Sequence, residues 1–153
     1  MKPFDLIVIA SPTELSLVRE ELAYRSICRD VKIIITGVGA INVFQALKNV
    51  DKDTRILNIG FCGSPDFPLD SRVEVGLCEL SHKVDYKEDN FVLEEGNLNI
   101  CYTGIDFATE GKEGCVYDME LAFICAMGFD VQAVKYVSDN MNYNQYANTV
   151  NEK

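Results

Sequence analysis

Short, strongly apolar runs alternate with amphipathic stretches along this chain, and this alternation restricts the possible folds more than any other feature of the sequence. The first three runs have strand length and are rich in β-branched residues; they cover 5–10 (DLIVIA), 31–37 (VKIIITG) and 54–60 (TRILNIG). Helical patterns follow the first two runs at 11–25 and 40–50, and a loop is predicted at 61–71. Apolar strands separated by helices are typical of a mostly parallel sheet with both faces covered. The pattern predicts the α/β class.

The second half of the chain continues this order with less regular spacing. Its predicted elements are strand-like segments at 72–80 and 98–104, a helix at 117–129 and a strand at 131–137. The polar stretches 81–97 and 141–153 are the least regular parts, and neither is typical of a domain boundary. A length of 153 residues with 48% hydrophobic residues suits one core. We therefore expect a single domain over 1–153.

The net charge limits the possible partners. The chain has 24 acidic and 14 basic residues, a formal net charge of −10. Nucleic acids and anionic membrane surfaces require a basic contact surface, so both are excluded as expected partners. The opening MKPFDLIVIASP is too short to span a membrane and is a poor signal sequence because it contains Asp5 and Pro12. A neutral small molecule or another protein fits better.

The six cysteines are spread singly, several within apolar runs such as LNICYTG and LAFICAMGF. This usage is typical of reduced, buried thiols and favours a cytoplasmic protein. Since His82 is the only histidine and the chain has no CxxC pair, we expect no zinc site and no other metal or cofactor.

Residues that follow the strands are the candidates for a ligand site, because ligands of open α/β sheets bind outside the carboxyl ends of the strands. These residues are Ala10, Ser11 and Glu14, the stretches 36–42 and 58–65, Ile105 to Phe107, and Ser138 to Asn140. The glycines of GVG (37–39) lack the third glycine of a dinucleotide-binding loop, so they indicate a tight turn or helix packing.

Purely structural roles are open for each acidic candidate at this point. Glu14 forms a capping box with Ser11 in the sequence pattern, preceded by Pro12 at the first helical position. Asp118 and Glu120 suit the first turn of the predicted helix, where carboxylates complement the helix dipole. Asp139 suits a turn.

Taken together, five segments of this chain resemble the purine nucleoside phosphorylase and nucleosidase superfamily, and within it most of all the 5′-methylthioadenosine/S-adenosylhomocysteine nucleosidases. The segments occur in family order between Asp5 and Asn140: VIASPTELSLV, IIITGVGAINVFQAL, ILNIGFCGSP, YTGIDF and YDMELAFICAMGFDVQAVKYVSDN. The most specific part is Met-Glu at the head of a helix, followed one helix and one strand later by Ser-Asp. The resemblance implies a three-layer fold with a mostly parallel, mixed central sheet flanked by helices.

The resemblance also implies a role for each candidate residue in breaking a purine N-glycosidic bond. Asp139 corresponds to the acid that protonates N7 of the base, and Glu14 to the carboxylate that activates water. Glu120 corresponds to the acceptor for the ribose 2′- and 3′-hydroxyls, with Met119 packed on the sugar. The remaining substrate-binding positions are Phe107 on the purine, Ser138 beside the acid, Tyr143 on the 5′ substituent, and Ala10, Phe61, Cys62 and Gly63 on the sugar side.

Hydrolysis is favoured over phosphorolysis by three positions at which phosphorylases of the superfamily bind phosphate. Glu14 and Asn58 occupy positions where the phosphorylase pattern has arginines, and Phe61 occupies a serine position. A buried phosphate dianion requires charge-assisted partners, whereas a carboxylate repels it and suits water. The expected activity is a purine nucleosidase. A phosphate-dependent purine nucleoside phosphorylase and a catalytically silent binding or structural protein are the two alternatives.

The chain is expected to be a shortened member of this superfamily. It stops soon after YNQYANTVNEK, which predicts the loss of the last helix and exposed apolar surface along 117–129 and the last strand. Pairing of two copies would cover such a surface. We therefore expect a homodimer.

Overall fold

The computed structural model describes residues 3–81 and 90–152, so His82 lies outside the described residues. The strands in chain order are β1 (Leu6–Ile9), β2 (Lys32–Ile35), β3 (Arg55–Gly63), β4 (Arg72–Val75), β5 (Leu77–Leu80), β6 (Asn90–Val92), β7 (Ile100–Thr103), β8 (Cys115–Asp118) and β9 (Asp130–Asp139). The helices are α1 (Leu15–Tyr24), α2 (Ala40–Leu47), α3 (Leu121–Ala126) and α4 (Tyr143–Glu152), and a 3₁₀ turn at Pro12–Glu14 precedes α1.

All the described strands belong to one mixed sheet. Its main order is β2-β1-β3-β8-β7-β5-β6, while β9 pairs with β3 and carries β4 on its other side. The pairs β1–β2, β1–β3, β3–β9, β5–β7 and β7–β8 are parallel, and β3–β8, β4–β9 and β5–β6 are antiparallel. The α/β class and the mostly parallel, mixed sheet predicted from the sequence are confirmed.

Helices cover both faces of the sheet because the central strands are apolar on both sides. One buried cluster joins the strands to α2 and α3 through Val43, Leu47, Leu121 and Ile124. A second cluster on the opposite face joins them to α1 and α4 through Leu17, Val18 and Val150. The expected three layers are therefore present, with the sheet in the middle. In the described part of the chain, no helix is long and apolar enough to cross a membrane.

Three predicted boundaries are wrong. The loop predicted at 61–71 begins later, because Phe61–Gly63 continues β3 and pairs with β9. The helix predicted over 117–129 begins at Leu121, since Tyr117 and Asp118 pair with β7 instead. The strand-like segment 72–80 is interrupted at Gly76, where a Cβ atom would lie 2.1 Å from the carbonyl oxygen of Asn97. Contacts with distant parts of the chain, and not the local sequence pattern, set all three boundaries.

The last helix is present, so the predicted loss of it is wrong. The chain forms α4 over Tyr143–Glu152, and Tyr146 and Val150 pack against the buried cluster that contains α1. This segment is polar apart from a few positions, which explains why its helical pattern is weak in the sequence. The last strand is mostly buried, and residues 117–129 are mostly buried or partly buried against α2 on the other face of the sheet.

Candidate active site

A cavity of about 330 Å³ lies at the carboxyl ends of β1, β3 and β9. All eleven predicted site residues line it: Ala10, Glu14, Phe61, Cys62, Gly63, Phe107, Met119, Glu120, Ser138, Asp139 and Tyr143. Six further residues line it: Ser11, Val38, Ala108, Tyr117, Asp118 and Tyr146. Ser11 and Val38 belong to the candidate stretches after the strands and Asp118 is one of the acidic candidates, whereas Ala108, Tyr117 and Tyr146 were not predicted. The predicted residues come from six separate elements or loops, and the fold brings them to one place.

Glu14 is held at the back of the cavity by main-chain donors. It is 5% exposed and ends the 3₁₀ turn after β1. Its Oε1 accepts hydrogen bonds from the N–H groups of Ala10 (2.7 Å) and Ser11 (3.2 Å), and its Oε2 accepts one from Phe61 (2.7 Å). The Ser11 bond is the carboxylate half of the predicted capping box. Burial raises the pKa of Glu14, while Lys135 and these three N–H groups oppose the rise.

Asp139 lies at the end of β9, where the strand is irregular. One extra residue, Ser138, is inserted in β9 relative to β3, so that Gly63 lies opposite Asp139. The Asp139 carboxylate accepts hydrogen bonds from the Ser138 hydroxyl (2.8 Å) and from the N–H of Met141 (2.9 Å). Burial raises the pKa of Asp139, and these two donors oppose the rise. A carboxyl with a raised pKa is suited to carry and deliver a proton.

Glu120 is the third carboxylate, and it connects the cavity to the glycine-rich turn. It lies between β8 and α3 and is 8% exposed. Its Oε2 accepts a hydrogen bond from the N–H of Gly39 at 2.9 Å. Gly37 and Gly39 both have positive φ, 89° and 90°, which confirms the prediction of a tight turn at GVG. Burial, followed by the negative charge of Asp118, raises the pKa of Glu120 to about 8.

Three aromatic rings form one wall of the cavity. The ring centroid of Phe107 lies 5.4 Å from those of Tyr143 and Tyr146, and the two tyrosines are 6.0 Å apart. Both tyrosines belong to α4. Burial raises the pKa of Tyr146, and the charges of Glu14 and Glu120 raise it further. Sequence reasoning missed Tyr146 because α4 itself was not predicted.

The sugar-side positions predicted from the resemblance are the ends of β1 and β3. Ala10 directly follows β1, and Phe61, Cys62 and Gly63 end β3. A Cβ atom on Gly63 would lie 2.9 Å from Oδ2 of Asp139, so a side chain there would displace the carboxylate. Met119 is partly buried beside Glu120. The small residues Ala10 and Gly63 thus lie where the backbone comes close to the carboxylates of Glu14 and Asp139, respectively.

A buried ion pair behind the cavity was not predicted. Lys135 of β9 is 1% exposed, and its Nζ lies 2.9 Å from Oδ2 of Asp118. The available sequence signal was a single lysine within the apolar run VQAVKYV, which predicted a strand but gave no partner for the charge. Among the described residues, no group of three or more His, Cys, Asp or Glu side chains is arranged to hold a metal ion.

Similarity to known proteins is found at the level of structure. No protein-family model matches the sequence, and no curated protein matches it. An S-adenosylhomocysteine nucleosidase from Streptococcus pyogenes, in complex with 5-methylthiotubericidin, superposes with a TM-score of 0.74 at 14% identity, covering 99% of this chain and 92% of that chain. A methylthioadenosine/S-adenosylhomocysteine nucleosidase (MTAN) from Chlamydia trachomatis gives a TM-score of 0.71 at 17% identity, covering 97% of this chain and 90% of that chain.

A third solved structure has a nucleoside bound. An MTAN variant from Helicobacter pylori with 5′-methylthioadenosine in its active site gives a TM-score of 0.70 at 10% identity, covering 99% of this chain and 91% of that chain. This chain therefore has the fold of the methylthioadenosine/S-adenosylhomocysteine nucleosidases, which confirms the fold that the sequence segments predicted. Identities this low establish the fold alone.

Proposed function

We propose that this protein hydrolyses the N-glycosidic bond of a purine nucleoside of the methylthioadenosine/S-adenosylhomocysteine type, releasing the free base and a ribose derivative. The observation that carries the proposal is the meeting of Glu14, Glu120 and Asp139 with Phe107 around one cavity. Cleavage of this bond builds positive charge on the ribose ring and negative charge on the departing base. An acid, a water-activating base and a sugar-binding carboxylate answer these needs.

Asp139 is the proposed general acid. Burial raises the pKa of Asp139 above its ordinary value, which favours a carboxyl that carries a proton, and Ser138 and Met141 hold this carboxyl in place. As the bond between C1′ and N9 breaks, its electron pair moves into the purine. Asp139 gives its proton to N7, so the base leaves without a full negative charge.

Glu14 is the proposed general base. Three main-chain N–H groups fix its carboxylate at the back of the cavity, and its oxygens keep lone pairs for a water molecule. Glu14 takes one proton from the water, and the water oxygen forms the new bond to C1′. The hydroxyl remains on the sugar and the proton remains on Glu14, which returns it to solvent after the product leaves, while Asp139 takes up a proton from solvent to replace the one given to the base.

Glu120 and Phe107 are the proposed binding residues for sugar and base. Glu120 accepts hydrogen bonds from the ribose 2′- and 3′-hydroxyls, with Met119 against the ring. Phe107 stacks on the purine, and Tyr143 packs on the 5′ substituent. The aromatic wall formed by Phe107, Tyr143 and Tyr146 supports an apolar contact of this kind.

Phosphorolysis is disfavoured by the charges around the cavity. Its lining in the described part of the chain includes four carboxylates and neither arginine nor lysine. Lys135 lies behind the cavity and is already paired with Asp118. A phosphate dianion would have to enter next to Glu14, so water is the proposed nucleophile.

Incubation with nucleosides distinguishes these possibilities. The purified protein is mixed with methylthioadenosine, S-adenosylhomocysteine, adenosine or inosine, each with and without phosphate, and free base is measured by chromatography. Base release without phosphate supports the proposal. Release that requires phosphate identifies a phosphorylase, and absence of release from every nucleoside identifies the silent protein.

We further propose that residues 1–153 form one domain and that the protein works in the cytoplasm. Two apolar clusters on opposite faces of one continuous sheet support a single cooperative unit. The six cysteines are free thiols, which suits a reducing compartment. A single unfolding transition seen by both circular dichroism and fluorescence tests the first proposal, and cell fractionation tests the second.

The proposed assembly is a homodimer. The reason given by the sequence, a missing last helix, is wrong, but β2 and α2 at the edge of the sheet expose Ile33 (37%), Ile35 (44%), Ile41 (72%) and Phe44 (42%). A second copy of the chain would cover this surface. Light scattering at micromolar concentration should give twice the monomer mass of 17.1 kDa, and the monomer mass itself would refute the dimer.

A further inference from the structure

Lys135 is a buried, charged side chain that the proposed reaction does not use. Lys135 lies within an apolar strand, where its neighbours Val134 and Val137 are 0% and 1% exposed. A buried ammonium is stable only when it is paired and hydrogen-bonded. Burial lowers the pKa of Lys135, but the acidic groups around it, Asp118 above all, outweigh burial and raise it, so the side chain stays charged.

Three carboxylates act on this one cation, and among the described residues they differ in the number of hydrogen-bond donors they receive. Asp118 receives five: Lys135, the hydroxyl of Thr103, the thiol of Cys101 and the N–H groups of Glu120 and Leu121. Glu14 receives three main-chain N–H groups. Glu120 receives one, from Gly39. Donors stabilise a carboxylate anion, so Asp118 is the best stabilised of the three and Glu120 the least.

Lys135 and Glu14 both lie against the backbone at Gly60. A Cβ atom on Gly60 would lie 2.7 Å from Oε2 of Glu14 and 3.3 Å from Nζ of Lys135. Both charged groups therefore lie against the bare backbone of this glycine. Lys135 can act on Glu14 through space although its ion pair is with Asp118.

The pKa directions agree with this donor count. Burial raises the pKa of Asp118, but Lys135 and Thr103 more than offset burial, and the net shift is downward. The thiols of Cys62 and Cys101 interact with the cation and the hydroxyl of Tyr146 interacts with Glu14 and Glu120, and burial raises the pKa of each of these three groups. These three groups are neutral at pH 7, so they add no charge to the site.

We propose that Lys135 is a positioning residue that assigns different charge states to the carboxylates of this site: anchored by Asp118 and lying beside Glu14, its ammonium keeps Glu14 ionised and leaves Glu120 as the neutral carboxyl of the free protein. Its catalytic meaning rests on the proposed function. Glu14 can then accept a proton from water, while Glu120 does not compete for that proton and its carbonyl oxygen still accepts hydrogen bonds from the sugar hydroxyls.

The test is a ¹³C NMR titration of glutamate side-chain carboxyls, which requires no activity. Signals of Glu14 and Glu120 are assigned with Glu14→Gln and Glu120→Gln. In the wild type, Glu120 should titrate at higher pH than Glu14. In Lys135→Met the midpoint of Glu14 should move to higher pH, and in Lys135→Arg, which keeps the charge, it should stay near the wild-type value.

The double variant Asp118→Asn/Lys135→Met guards against failure to fold, because it removes both partners and leaves no unpaired buried charge. In this variant Glu14 should still titrate at higher pH than in the wild type, whereas Glu120, freed from the charge of Asp118, should not. An unchanged Glu14 midpoint in either Met variant, or a Glu120 midpoint at or below that of Glu14 in the wild type, would overturn the proposal.

Activity gives a second, separate readout. If base is released, the acid limb of the kcat/KM profile should move to higher pH in Lys135→Met but not in Lys135→Arg. A loss of kcat/KM that is equal at every pH would show a merely structural role and would overturn the proposal. Without base release the proposed function fails, and the NMR titration still decides the role of Lys135.

Discussion

Replacement of Gly60 by alanine would place a methyl group where Glu14 and Lys135 lie against the backbone. The new methyl carbon would lie 2.7 Å from Oε2 of Glu14 and 3.3 Å from Nζ of Lys135. The first distance is too short for any real contact, so the carboxylate must move. Glu14 is a side chain and can rotate away, but its Oε2 then loses the hydrogen bond from the N–H of Phe61 at 2.7 Å.

The expected loss of stability is modest, whereas the expected loss of activity is large. A hydrogen bond to a charged group contributes about 1.5–3 kcal/mol, so Gly60→Ala should lower the free energy of unfolding by about that amount. For a chain of this size the melting temperature should fall by roughly 3–12 °C. A displaced general base loses the alignment of its water, so base release should fall by about 10²-fold or more.

Urea unfolding and the rate of base release are measured side by side, with Gly96→Ala as the control. Gly96 has φ of 81°, and no atom lies within 4 Å of the position that a methyl group would take there, so alanine strains the backbone by about 1–2 kcal/mol without touching the cavity. The control should lose comparable stability and keep its activity. If Gly60→Ala behaves like this control in both measurements, Glu14 does not lie against Gly60 and the reasoning is refuted.

Three further predictions concern the contacts of single side chains. Glu120 has a pKa of about 8 in the folded protein and an ordinary value of 4.5 in the unfolded chain, so the folded protein binds an extra proton between these pH values. The free energy of unfolding should therefore fall as pH rises from about 4.5 to 8. Thermal melts of Glu120→Gln should show a weaker fall, and an unchanged profile would contradict the raised pKa. Tyr146→Phe removes a hydroxyl from a residue that lines the cavity while keeping the ring on Phe107. Calorimetry should then show nucleoside affinity about fivefold weaker, whereas equal affinity would mean that the hydroxyl makes no contact with the nucleoside. Glu21→Gln removes the carboxylate that Arg72 contacts through two nitrogens, each at 2.7 Å. Urea unfolding should show a loss of about 3 kcal/mol in the free energy of unfolding, compared with almost none for Glu20→Gln at an exposed position. Equal losses would show that the ion pair does not stabilise the fold.

Much of the fold followed from apolar periodicity, and the errors lie where pairing overrides local pattern. Phe61–Gly63 belongs to β3 because β9 runs beside it, and no local signal in FCGSPDF indicates that pairing. The sequence pattern favours a first helical turn for Asp118, but this residue ends β8 and accepts the N–H of Leu121 at 2.8 Å instead. Carboxylates favour the start of a helix in both arrangements, so composition alone could not separate them.

The residues of the candidate site also divide into those that the sequence could predict and those that depend on long-range contacts. Residues at strand ends could be predicted because the carboxyl ends of parallel strands meet at one edge of the sheet, and Glu14 and Asp139 were found by this reasoning. Lys135 could not be placed, because a lone lysine in an apolar strand gives no information about its partner. Tyr146 could not be placed either, since its approach to Glu14 depends on how α4 folds back over β9. Long-range contacts of this kind have no signature in the local sequence.

The most direct test of the central claim is the rate of adenine release from methylthioadenosine in phosphate-free buffer, measured for the wild type and for Asp139→Asn. The asparagine side chain has nearly the same shape but cannot deliver a proton to N7. We expect adenine and methylthioribose from the wild type, and a rate about 10²–10⁴-fold lower for the variant. Absence of adenine with the wild type, or equal rates for the two proteins, would contradict this claim.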